Sequence, residues 1–183
     1  RDRYDIKYDL VINDLLASFY LQEIAEDGDT SSTSPLSGYM LTFGSEIKYE
    51  ANGLLRSFII EFTRTILDRH NSPTGRNIAY EHGTYKSGYR YRGLPIGAFI
   101  DTDSKFTQIS YFREIKENQV LKADLFYAEP NTDAEGRNIW GNTGDPFFGL
   151  KTKYKFKLSK NLSTSFVLTL SDKNLLYLDV LHF

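Results

Sequence analysis

The sequence predicts an all-β fold, an antiparallel transmembrane β-barrel, and three observations predict it. Apolar and polar residues alternate with a period of two over several segments, as on strands with two unlike faces. Each segment runs roughly 9–11 residues, the length a tilted strand needs to cross a bilayer. The links between segments alternate short and long, because periplasmic turns of barrels are short and external loops are long. A soluble sandwich has no reason to sort its loops by side.

The alternation places nine strands, near residues 3–13, 15–24, 37–49, 54–64, 105–115, 119–128, 147–158, 161–171 and 174–183. In the first, Tyr4, Ile6, Tyr8, Leu10 and Ile12 share one face, and Asp5, Lys7, Asp9, Val11 and Asn13 the other. In the third, Leu41, Phe43, Ile47 and Tyr49 oppose Met40, Thr42, Glu46 and Lys48. The clearest case sets Phe148, Leu150, Thr152, Tyr154, Phe156 and Leu158 against Lys151, Lys153, Lys155 and Lys157. Tight links are expected at 13–14, 50–53, 116–118 and 159–160, and long external loops near 25–36, 65–104 and 129–146. Only a final tight turn at 172–173 departs from the alternation. The sequence ends on an apolar strand closed by Phe183, a feature that the insertion machinery of outer-membrane barrels reads. In that strand Asp179 shares a face with Tyr177, Leu181 and Phe183, unless Leu176, Leu178 and Val180 are the residues turned to lipid.

Composition agrees with strands. Of 183 residues, 40% are apolar, 25% charged and 15% aromatic, and thirteen Tyr with thirteen Phe favour half-buried pleated surfaces. The net charge of -2 gives no footing for a nucleic-acid partner. The lack of Cys excludes a disulfide framework and a thiolate metal site. No run approaches the roughly 18 apolar residues of a transmembrane helix. The mean hydropathy of -0.41 does not weigh against a barrel, whose strands carry lipid-facing side chains only at every second position. Arg1 stands where an initiator Met would, so a processed protein or a fragment is expected. Single-chain barrels have even strand counts, so nine strands point either to a count that is off by one or to part of a larger barrel, whose edges must be closed by further strands.

Candidate chemistry lies in the loops. The 65–104 loop gathers Tyr80, His82, Tyr85, Tyr89, Arg90, Tyr91 and Arg92. Sugars bind flat aromatic faces through C–H groups, while Arg clamps carboxylates and hydroxyls. The same loop, with Gly83, Gly88, Gly93 and Gly97 as fixed turns, could instead fold inward and pack as a plug. Trp140, the sole Trp, sits among Asn138, Asn142 and Asp145 and reads as a sugar platform or as an interfacial girdle residue. The lysine ladder at 151–157 reads as lumen-facing, either drawing an anionic glycan or pairing with Asp124, Asp5 and Asp9 on adjacent walls. Asp101 and Asp103 lack the glycine and distal Glu of a calcium loop, the acidic stretch 26–29 is an equally weak cation site, and both are expected to be solvated turns. No metal and no cofactor are expected. Catalysis finds no footing, since only His70, His82 and His182 are available and neither a Gly-x-Ser-x-Gly elbow nor a His-x-x-x-His pair occurs.

Three stretches resemble the capsule-assembly Wzi family of outer-membrane barrels. They are YLQEIAEDGDTSSTSPLSGYMLTF at 20–43, IEFTRT at 60–65 with NIAY at 77–80, and HGTYKSGYRYRGLPIGAFIDTDS at 82–104. Leu94 and Pro95 interrupt a more polar stretch of the family pattern. The resemblance implies an eighteen-stranded barrel, of which these nine strands are the C-terminal half, and a periplasmic helical bundle that belongs to the N-terminal part. It also implies a non-enzymatic surface lectin of the bacterial cell outer membrane that binds capsular polysaccharide and helps assemble the capsule. Tyr85, Tyr89, Arg90, Tyr91, Arg92 and Trp140 are the candidate polysaccharide-binding residues. Expected partners are the polysaccharide, outer-membrane lipid, the remaining barrel strands and other envelope proteins, with no nucleic acid. The alternatives are a channel or structural barrel subunit of a larger outer-membrane complex, and then a soluble all-β glycan-binding domain.

Overall fold

The computed structural model describes residues 3–25, 39–66, 79–80, 90–91, 94–95, 100–132, 138–140, 143–159, 162–173 and 177–182. Its strands are β1 (Arg3–Ile12), β2 (Leu15–Ala25), β3 (Tyr39–Ala51), β4 (Leu54–Arg64), β5 (Arg90–Tyr91), β6 (Leu94–Pro95), β7 (Lys105–Lys116), β8 (Gln119–Glu129), β9 (Phe147–Ser159), β10 (Leu162–Ser171) and β11 (Tyr177–His182). Nine of them form one sheet in the order β1-β2-β3-β4-β7-β8-β9-β10-β11, and the two-residue strands β5 and β6 pair with each other. Every neighbouring pair in the large sheet is antiparallel. Sequence neighbours are therefore sheet neighbours, and the links fall alternately at two ends. Links 13–14, 52–53, 117–118 and 160–161 lie at one end; 26–38, 65–104, 130–146 and 172–176 lie at the other. The described residues of the last link, 172–173, form a turn at the loop-bearing end.

Local chemistry explains the tight end. Asn52 and Gly53 both have positive φ (57° and 73°), the backbone that a two-residue hairpin matched to strand twist requires. Asn13 does the same at 52°, and Asn tolerates the left-handed region better than other side chains. Strand lengths of ten to thirteen residues for the eight strands from β1 to β10 suit a tilted bilayer crossing.

The register sorts the sheet into two faces. One carries Tyr8, Phe19, Ile47, Phe58, Ile60, Ile109, Leu125, Leu150, Phe148 and Leu168. The other carries Asp9, Ser18, Glu46, Ser57, Ser110, Asp124 and the lysines of β9. Burial runs opposite to that of a water-soluble sheet. Tyr8 is 62% exposed, Phe148 58% and Phe58 50%, whereas Ser18 is 3% exposed, Ser110 1% and Asp124 7%. β11 pairs with β10 in a register that sets Leu178 opposite Leu168, Asp179 opposite Val167 and Val180 opposite Phe166, while Leu176 and Phe183 lie outside the described residues.

Aromatics on the polar face lie over glycines. Tyr20 and Glu61 flank Gly44 in one cross-strand row, and the Tyr20 hydroxyl passes over that glycine to donate to Glu61 at 2.6 Å. A Cβ on Gly44 would meet the Tyr20 ring, and a Cβ on Gly149 would meet the Phe126 ring. Phe126 cannot easily give way, since Phe147 stands edge-on to it at 6.2 Å and Phe106 lies 5.9 Å away. Gly149→Ala is expected to cost about 1–3 kcal/mol by overpacking. Heat-modified gel migration in detergent should register this as a lower transition temperature; an unchanged transition would refute the tight contact.

Candidate functional site

The loop-bearing end is built around a short buried turn, residues 100–104, which leads into β7. Ile100, Asp101, Thr102, Asp103 and Ser104 are all at most 2% exposed. Asp101 and Asp103 take positive φ (66° and 50°), a conformation Asp accepts in turns. Their burial corrects the expectation of a solvated turn. Among the described residues no group of three or more His, Cys, Asp or Glu could hold a metal ion.

Both long connections are tied to this turn. On the β4 side, Thr65 N donates to Ser104 O at 2.9 Å, and Ser104 N donates to the Thr65 hydroxyl at 3.0 Å. The Thr65 hydroxyl in turn donates to Asp101 O at 2.5 Å. On the β8 side, Thr132 N donates to Asp103 O at 2.8 Å, its hydroxyl to an Asp103 carboxylate oxygen at 3.0 Å, and Asn131 N to Ser104 Oγ at 3.0 Å. The loop approaching β9 closes the set. Asn138 Nδ2 donates to Thr102 O at 2.8 Å, while its Oδ1 accepts from Trp140 N at 2.9 Å. Ile139 N donates to Asp101 Oδ2 at 3.0 Å. Buried polar groups must be paired, and here one turn pairs with three chain segments far apart in sequence.

Beneath the polar hub lies a small apolar core of Ile100, Phe106, Ala128 and Phe147, with Phe126 and Trp140 packed against it. The Trp140 indole lies 5.1 Å from the Phe147 ring at an interplanar angle of 36°. Lys173 reaches in from the last external link, with Nζ 5.6 Å from the Phe147 ring centroid and 2.6 Å from Asp145 O. Trp140 is therefore anchored to the polar-face side of the sheet, at the base of its loop, rather than placed in the apolar girdle. Ala79 and Tyr80 are buried too, at 1% and 6% exposure, so the described residues of 65–104 outside β5 and β6 pack inward apart from half-buried Ile66.

The other candidate site residues divide in two. Arg90 and Tyr91 form β5, in register with Pro95 and Leu94 of β6. Tyr85, Tyr89 and Arg92 lie outside the described residues, as do His82, the four loop glycines and the 26–29 stretch. Sequence reasoning missed Thr65, Asn131 and Thr132 as hub members. Their only signal is composition, small polar residues directly after a strand.

The lysine ladder sits on the polar face, as expected, but does not pair with the acids assigned to it. Asp124 is held by Lys122 at 3.1 Å and by the Ser110 hydroxyl, Asp5 by Arg3 at 2.7 Å and Gln22, and Asp9 by Lys7 at 3.0 Å. Each acid is held by a cation two positions away on its own strand. Among the described residues Lys151, Lys153, Lys155 and Lys157 form no ion pair.

Comparison with known proteins agrees with this architecture. Among solved structures, the chain is similar to Wzi, an outer membrane protein involved in group 1 capsule assembly in Escherichia coli and a carbohydrate-binding β-barrel. The TM-score is 0.68 at 23% identity, over 90% of this chain and 36% of that one. The chain thus spans about a third of the length of that protein. No curated protein matches it. The family model described as capsule assembly protein Wzi matches residues 2–176. The chain belongs to the Wzi capsule assembly family.

Proposed function

We propose that this chain is part of a bacterial outer-membrane surface barrel that binds capsular polysaccharide and helps attach or assemble the capsule, without catalysis. The observation that carries the reading is the pairing of an inside-out sheet with the collection of all long links at one end. Such a sheet suits lipid on its apolar side, and in a barrel the long links face outward. The solved Wzi protein is a carbohydrate-binding barrel, and shared family supports the same ligand class here. The sheet's edges, β1 and β11, need partners in a bilayer, so further strands close the barrel. As the C-terminal half of an eighteen-stranded barrel, the chain would take them from an N-terminal part.

In this reading Tyr85, Tyr89, Arg90, Tyr91 and Arg92 contact the glycan, and Trp140 lines the base of the same surface. Phe147 packs against the Trp140 ring at 5.1 Å and fixes its position at the base of that surface. Tyr89→Ala should raise the Kd for capsular polysaccharide roughly five- to tenfold, the loss of about 1–1.4 kcal/mol of aromatic contact. Glycan titration of the protein in detergent checks this, and an unchanged Kd would remove Tyr89 from the site. Asn138→Ala leaves buried acceptors of the hub unpaired, at about 1–3 kcal/mol. The expected result is faster proteolytic nicking within 129–146 and weaker glycan binding, with the heat-shifted barrel retained.

A second reading, a channel or structural subunit of a larger envelope complex, draws on the lysines of β9 that form no ion pair among the described residues. Rings of cations in a lumen select anions. Planar-bilayer conductance separates the two: an anion-selective current unaffected by polysaccharide favours the channel, and glycan binding without current favours the lectin.

A further inference from the structure

We propose that Arg56 and Arg113 form a clamp for the phosphate of a phospholipid headgroup, on the outer surface of the barrel at its short-turn end. The proposal rests on the membrane reading above.

The two arginines are direct cross-strand partners of β4 and β7. They lie on the apolar face, in register with Phe58 and Tyr111, then Ile60 and Ile109, then Phe62 and Thr107 along the same pair of strands. Like charges set directly opposite each other destabilise a sheet unless an anion lies between them. None is supplied by the chain. The row on either side reads Tyr49, Arg56, Arg113, Leu121 and Tyr154, without an acid. The carboxylate of Glu114, next in sequence to Arg113, accepts the Leu55 backbone N–H at 2.8 Å. Among the described residues neither arginine forms an ion pair, and Arg56 Nε is buried without a hydrogen-bond partner. A guanidinium fork in that state matches phosphate oxygens.

Missing strands cannot supply the anion, because β4 and β7 are interior strands, each flanked on both sides. Their apolar face meets only what surrounds the barrel. The depth also fits a headgroup. From the row of Arg56 to that of Arg64 and Lys105 the strand advances eight residues, roughly 26 Å along its axis. Tilted by roughly 35–45°, that spans roughly 19–22 Å, most of the roughly 25 Å apolar band of such barrels, with charged rows at both margins. At the loop-bearing margin the chain provides its own anion, since Lys105 pairs with Glu129 at 2.9 Å. At the short-turn margin it provides none. Short turns mark the periplasmic side, where the adjoining leaflet carries phosphodiester headgroups.

The test is native mass spectrometry of the whole protein in detergent, titrated with phosphatidylglycerol and, separately, with diacylglycerol, which lacks the phosphate. The expected result is a phosphatidylglycerol adduct that the Arg56→Gln/Arg113→Gln variant binds at least tenfold more weakly, with diacylglycerol binding weak and equal in both. Lys153→Gln, on the opposite face, should leave the adduct unchanged, and inorganic phosphate should not compete with it. Should the double variant not fold, Arg113→Gln alone, at an exposed position, is expected to weaken the adduct at least threefold. Equal phosphatidylglycerol binding by the variants and the unaltered protein would overturn the clamp. Failure of the unaltered protein to insert into phospholipid vesicles would instead overturn the membrane reading on which it rests.

Discussion

The rest of the structure depends on the inverted distribution of polarity across one antiparallel sheet. In water, a continuous surface bearing Tyr8, Phe19, Phe58 and Phe148 in the open would be a liability that soluble chains normally avoid. Surrounded by hydrocarbon, the same surface is favourable, and the cost moves to the backbone. Every N–H and C=O then needs a partner within the protein, which an antiparallel ladder provides at each interior strand. The polar face follows from the same constraint. Ser57 donates to Glu46 at 2.7 Å, Ser110 to Asp124, and Tyr20 to Glu61, so that groups withdrawn from bulk solvent satisfy one another.

Polarity across the sheet explains the faces, and link length explains the ends. A tight turn at Asn52 and Gly53 leaves no atoms for recognition. The opposite end carries all the chain that is free to vary, and it is not left loose where it joins the strands. Ser104, Thr65 and Asn138 bind the two connections 65–104 and 130–146 into one buried hub, and Phe147 holds Trp140 against the sheet. Under the proposed glycan-binding role, such a base would lower the ordering entropy lost on contact, because residues already fixed cost less to engage.

The strands were legible because alternation is a one-dimensional property. The run Lys151, Lys153, Lys155 and Lys157 against Phe148, Leu150, Tyr154 and Phe156 shows two faces without any knowledge of neighbours, and all nine main strands lie close to their expected limits. The resemblance of residues 82–104 to the Wzi family was legible for a different reason, being a matter of local pattern, and the family match bears it out. What pairing depends on was not legible. The hub residues Thr65, Ser104 and Asn131 are separated by up to 66 positions and share no periodicity. Asp101 and Asp103 looked like a solvated turn because a carboxylate in a loop usually is one, whereas the backbone N–H groups of Thr102 and Ile139 and the hydroxyl of Thr132 satisfy these carboxylates in the buried turn. The partner of Asp124 was misassigned although register sets Lys151 directly opposite it, because Lys122, two positions back on the same strand and face, takes the carboxylate instead.

The central claim is that the apolar face meets lipid and the polar face meets the lumen. The sequence has no Cys, so single cysteines can be placed without background from this chain. Cysteines at 57 to 62 of β4, in the whole protein inserted in bilayers, can be labelled with a fluorophore and challenged with a lipid-confined quencher and a water-soluble one. The account predicts strict alternation, with labels at 58, 60 and 62 quenched from lipid and labels at 57, 59 and 61 reached only from water. Quenching from water at every position, or a lipid signal on the Ser57 face, would contradict it.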